Sequence, residues 1–137
     1  MKAVVELQKN VNFKATSGTG HTIQMDGAEQ YGGENMGARP MEVLLIGMGG
    51  CASFDVVHIL RKRRLEVTGC VAELDAERAE TDPKVFTKIH LHFKVSGTGL
   101  TDKAVAKAVQ LSAEKYCSAS IMLGKTATIT HSHEIIE

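Results

Sequence analysis

Two thiols stand where the chain pattern changes. Cys51 follows a pair of glycines inside the apolar stretch MEVLLIGMGGCASFDVVHIL (residues 41–60), and Cys117 lies in LSAEKYCSASIML, where a helical pattern turns. A pair of thiols at helix breaks suits peroxide or disulfide chemistry. One low-pKa thiolate attacks a peroxide oxygen and becomes a sulfenic acid; the second condenses with it to a disulfide, which an external thiol reduces by exchange. The glycines admit two readings. Gly47 and Gly50 could let another element pack closely, or Gly49-Gly50 could break the helix so that Cys51 opens a new segment. Free N–H groups and the dipole at such an N-terminus favour thiolate. The remaining thiol, Cys70 in EVTGCVAEL, reads as strand packing.

Other ionisable residues share these elements. Asp55 and His58 follow Cys51 by four and seven positions, on one helical stripe. A Cys-Asp-His line invites a catalytic reading, but a carboxylate raises a neighbouring thiol's pKa, and His58 is two turns away. A buried Asp55–His58 pair tying the helix to another subunit is the expectation. His90-x-His92 and His131-x-His133 each place two imidazoles on one strand face, and four histidines could bind Zn or Cu if the strands are neighbours. Alternating polar residues also mark a solvated sheet face. No metal or cofactor is expected.

The elements that must position these residues follow from the pattern. Residues 2–26 read as a β-hairpin or three-stranded meander around SGTG, and the glycine-rich segment 27–38 as a mobile loop. Arg39-Pro40 opens a long helix, with Glu42 near its positive end and the basic run 61–64 at its other end. Strands over about 66–80 and 84–96 meet at TDPK, and Ile89, Leu91, Phe93 and Val95 face one side. Thr101-Asp102 caps a second helix running to about Tyr116; a short helical turn and a final strand over 126–137 complete the chain. The order is that of an α+β domain, a single one over 1–137. The long helix is apolar nearly all round and should be buried on most sides, with a second subunit covering part of it.

Composition narrows the function classes. Sixteen Lys and Arg balance sixteen Asp and Glu, and aromatic residues make up 4% of the chain. No global field or stacking platform argues for nucleic acid. The first ten residues lack the apolar run of a signal peptide, no segment reads as a membrane span, and three cysteines do not suggest a secreted disulfide framework. The cytoplasm is the expected compartment.

RPMEVLLIGMGGC and LSAEKYCSAS resemble the OsmC/Ohr family of osmotically induced and organic hydroperoxide resistance proteins, and the likeness extends over nearly the whole chain. It implies an OsmC/Ohr-like α+β fold: N-terminal β-meander, long central helix, strand pair, second helix and C-terminal strand. It also implies an intertwined homodimer with two interface sites. The implied activity is that of a thiol-dependent peroxidase acting on organic hydroperoxides, with Cys51 peroxidatic, Cys117 resolving, Glu42 as the site carboxylate, and an external dithiol as reductant. The chain departs from the family's hydroperoxide reductases twice. Met41 follows the proline where they carry glutamate, which moves the carboxylate one residue on to Glu42. Where they use an N-terminal arginine, only Lys2, Lys9 and Lys14 carry cationic side chains, and lysine lacks the bidentate fork. The chain thus resembles the redox-protein-like branch. The alternative, from a different class, is a non-catalytic binding protein that holds a small apolar or electrophilic ligand in the interface cleft.

Overall fold

The computed structural model describes residues 1–136, so Glu137 of the expected last strand lies outside the described residues. The chain forms two compact units, Met1–Ile46 and Gly47–Glu137, each taken by itself below.

In the first unit, β1 (Ala3–Lys9), β2 (Asn12–Ser17) and β3 (Thr22–Asp26) form an antiparallel meander. Asn10, in the left-handed region at φ 53°, turns β1 into β2, a conformation that asparagine tolerates. The whole of β1 is exposed, including Val4, Val5 and Leu7. The glycine-rich segment is tied down through Asp26, whose Oδ2 accepts the backbone N–H groups of Glu34 (2.9 Å) and Met36 (3.1 Å). Those bonds hold the Asp26 carboxyl below its ordinary range.

The helix α1 (Pro40–Lys62) starts in this unit and continues into the second. Pro40 is its first residue, as the sequence suggests, and Glu42 Oε1 accepts the N–H of Arg39 (2.8 Å). This is the reciprocal half of a capping box and satisfies an orphan donor. The helix runs unbroken through Gly49 and Gly50, so Cys51 does not open a new segment. The helix end that would have favoured a thiolate is therefore absent at Cys51.

In the second unit, β4 (Glu66–Arg78) and β5 (Phe86–Thr98) pair antiparallel, and β6 (Thr128–Ile136) joins β5 in parallel. Both long strands are shorter at the turn than the alternation implied. Ile89, Leu91, Phe93 and Val95 are all buried on one face. The parallel connection passes through α2 (Asp102–Leu111), a π-helical turn at Ser112–Tyr116, and α3 (Ser118–Leu123). Thr101 caps α2, its hydroxyl accepting the Ala104 N–H (3.2 Å); the α-helix stops at Leu111, short of the expected Tyr116.

Only one stripe of α1 is buried: Met48, Gly49, Ala52, Val56 and Leu60. Gly49 permits that approach, because a Cβ there would meet Leu74 Cδ1 of β4 at 2.8 Å. Leu44, Ile46 and Phe54 stay exposed, so the expected burial on most sides does not occur within one chain. Nor does the expectation that no segment approaches a membrane span hold by length and composition: an 18-residue window of α1 has mean hydropathy 1.8.

Candidate thiol site

Cys51 and Asp55 are one helical turn apart and stand at the edge of the buried α1 stripe, each one residue before Ala52 and Val56. Both are half-buried. Opposite them, the π-helical turn closes with the Cys117 N–H donating to the Ser112 carbonyl (2.8 Å). The extra residue re-aims the chain, as such turns do, and brings two side chains to α1. Ser112 Oγ donates to Asp55 Oδ2 (3.1 Å) and to the Ala52 carbonyl (3.4 Å). Cys117 is fully buried. As a result Cys51 Sγ, Cys117 Sγ and a carboxylate oxygen of Asp55 all lie within 4.8 Å of one another.

The two thiols sit in different surroundings. Burial pushes the Cys117 thiol up; hydrogen bonds from the hydroxyl (3.0 Å) and backbone N–H (3.3 Å) of Ser120 oppose this, and Cys51 beside it adds to the rise. Cys51 keeps partial access to solvent. An accessible thiol against a buried one, with a carboxylate near both, has the groups that attack, sulfenic acid formation and disulfide closure require.

Several cavities lie in this unit, and one of the two that reach about 500 Å³ borders Cys70 rather than the thiol pair. It holds about 500 Å³ and is lined by Gly50, Phe54, Val57, Arg61 and Cys70 among others. Burial pushes the Cys70 thiol up, with Ser53 opposing, consistent with strand packing. A smaller cavity, about 360 Å³, includes Asp55 in its wall with Ile59, Leu111 and Tyr116, and with Lys62 and Arg63. Because Asp55 also belongs to the cluster, this is the cavity that bears on its chemistry.

Several expectations are corrected here. Asp55 does not pair with His58; it turns to Ser112, while His58 is exposed and stacks on Phe54 with ring centroids 5.5 Å apart. The two His-x-His pairs lie on neighbouring strands but on opposite faces. In the β5–β6 register Leu91 pairs with His131 and Phe93 with His133, and directly paired residues share a face. His131 therefore stacks on Phe93, and His133 Nε2 meets Asp102 Oδ1 at 2.8 Å. On the other face His90 and His92 share the Ser132 hydroxyl at 2.8 and 2.7 Å. The four imidazoles cannot converge on one ion. Glu42 sits in the first turn of α1, engaged with Arg39. Ser112 was missed, although it is the lone polar residue continuing the apolar stripe Ala104, Val105, Ala108 and Val109 of α2.

This α+β arrangement, with a thiol pair carried by a long helix and the turn after the second helix, defines a known class. The OsmC-like protein family model matches residues 32–132, and the chain belongs to that family. It is 47% identical to Protein YhfA of Escherichia coli (strain K12), over 99% of this chain and 98% of that protein. A solved hypothetical protein from Aquifex aeolicus VF5 is 33% identical with a TM-score of 0.82, covering 99% of this chain and 97% of its own. An organic hydroperoxide resistance protein OsmC from Legionella pneumophila shares the fold at 16% identity, with a TM-score of 0.73 over 98% and 97% of the two chains.

Proposed function

We propose that this chain is a thiol-based redox protein that reduces organic hydroperoxides, with Cys51 as the attacking thiol and Cys117 as its resolving partner. The observation that carries the reading is the Cys51–Asp55–Cys117 cluster within 4.8 Å. Family membership supports it, since solved neighbours of the same fold are named as hydroperoxide resistance proteins. Cys51 attacks one oxygen of the hydroperoxide, the O–O bond breaks, and the alcohol leaves with a proton. The sulfenic acid on Cys51 is then attacked by the Cys117 sulfur, forming the disulfide and releasing water. Asp55, beside both sulfurs, takes the proton from the attacking thiol and returns it to the leaving oxygen. An external dithiol reduces the disulfide by exchange. The cavity beside Asp55 receives the apolar part of the oxidant, and Lys62 and Arg63 at its wall supply positive charge in place of an N-terminal arginine. Glu42 acts at one remove in this reading, by capping the helix that carries Cys51.

The working form is a single-domain chain in a cytoplasmic homodimer, free of membrane and nucleic acid. The exposed Leu44, Ile46 and Phe54 of α1 support a second copy as the cover. Lipid is a poor one, since Glu42, Asp55 and His58 would enter the bilayer with the helix. A non-catalytic ligand-binding role is the second reading, favoured by the 500 Å³ cavity that excludes Cys51. Consumption of cumene hydroperoxide by the reduced protein separates the two. In Cys117→Ser, dimedone should trap a sulfenic acid on Cys51; in Cys51→Ser, oxidation should cease. Wild-type protein that consumes no peroxide would leave the binding reading.

A further inference from the structure

Two sulfurs and a carboxylate oxygen within 4.8 Å of one another form a donor set as well as a redox pair. We propose that reduced Cys51 and Cys117, with Asp55, bind a thiophilic divalent cation, Zn²⁺, leaving one coordination position open. The site is shared with the proposed peroxidase, but the inference does not rest on peroxide chemistry.

The donors suit this ion. Thiolate, thiolate and carboxylate are zinc ligands, with Zn–S near 2.3 Å and Zn–O near 2.1 Å, and a tetrahedral centre sets ligand atoms about 3.8 Å apart. Spacings of at most 4.8 Å exceed that geometry by no more than about 1 Å. Three protein ligands with a fourth position left to water or substrate is the pattern of an open zinc site. The supporting contacts fit as well. Ser112 Oγ holds one oxygen of Asp55 (3.1 Å), fixing the carboxylate as an outer partner does. Ser120 aims its hydroxyl and its N–H at Cys117 Sγ, bonds that remain available to a metal-bound thiolate. Among the described residues, no Lys, Arg or His nitrogen lies within 4.0 Å of the Asp55 carboxylate as an ion-pair partner, so a cation is the missing counter-charge. Occupancy and the disulfide exclude each other, because both use the same two sulfurs.

Binding converts two thiols to thiolates and should release about two protons per ion. The test uses reduced, metal-free protein. Titration with Co²⁺ as a spectroscopic probe should give sulfur-to-cobalt charge-transfer absorption saturating at one ion per chain. Zn²⁺ should displace it. In wild-type protein, Zn²⁺ should slow alkylation of Cys51 and Cys117 while leaving Cys70 unchanged, a readout independent of any variant's folding. The Cys51→Ser/Cys117→Ser double variant should lose the charge-transfer band, Ser112→Ala should weaken Zn²⁺ binding about 10–100-fold, and Cys70→Ser should bind as wild type. A charge-transfer band that persists when both Cys51 and Cys117 are Ser, or alkylation of the pair unaffected by Zn²⁺, would overturn the inference. Peroxide consumption measured on the same metal-free sample keeps the readings apart. Protection by Zn²⁺ without peroxide turnover sinks only the peroxidase; turnover without protection sinks only the zinc site.

Discussion

Asp55 sits one helical turn from Cys51 and takes its hydrogen bond from Ser112 Oγ at 3.1 Å, so its carboxylate is oriented toward the thiols rather than left in solvent. A carboxylate that moves the proton is worth about 10²-fold or more. Asp55→Asn is expected to slow single-turnover peroxide reduction about 100-fold with the fold retained by circular dichroism. Cys70 offers a contrast, because burial pushes its thiol up. At pH 7 iodoacetamide should modify Cys51 faster than Cys70, and equal slow rates would reduce Cys51 to packing. Both site thiols were legible from residue type and position. Their juxtaposition followed only from the family resemblance and not from spacing, because it depends on a π-helical turn whose extra residue leaves no mark in the periodicity before Cys117.

At the scale of elements, the β5–β6 register decides what the histidines do. His131 is on the face shared with Leu91 and Phe93, and burial, with His90 nearby, pushes its imidazole down. A histidine depressed in the fold takes up protons more readily when unfolded. Stability should therefore be unaffected by His131 above its unfolded value near 6.5 and fall as pH drops below it. Urea midpoints between pH 7.5 and 5.5 check this, and His131→Gln should flatten the slope. Asp26 behaves oppositely in mechanism: its depressed carboxyl contributes above the unfolded value near 3.9, and the contribution is lost as pH falls through its folded one. Asp26→Ala should free the 27–38 segment to limited proteolysis. The strand alternation, the Pro40 helix start and the Thr101 cap were all readable because they are local. Strand order was not, since a parallel β5–β6 pairing is set by the α2–α3 connection between them.

For the whole molecule, neutral net charge and an apolar helix buried along one stripe set the question of what covers the rest. Val4, Val5 and Leu7 on β1, and Leu44, Ile46 and Phe54 on α1, are apolar side chains that one chain leaves exposed, and such surface marks interaction sites where it is contiguous. Light scattering at micromolar concentration should give a dimer; a monodisperse monomer would contradict the cover by a second copy. The apolar sweep of α1 was plain in the sequence, but which part of it the chain itself buries depends on Gly49 admitting Leu74. The central claim is that Cys51 and Cys117 form one redox unit, and peptide mapping of the protein after one equivalent of cumene hydroperoxide tests it most directly. The account predicts an intrachain Cys51–Cys117 disulfide, with the loss of two hydrogens per chain and Cys70 still free. Peroxide that leaves both thiols reduced, or a disulfide that joins Cys70 instead, would contradict it.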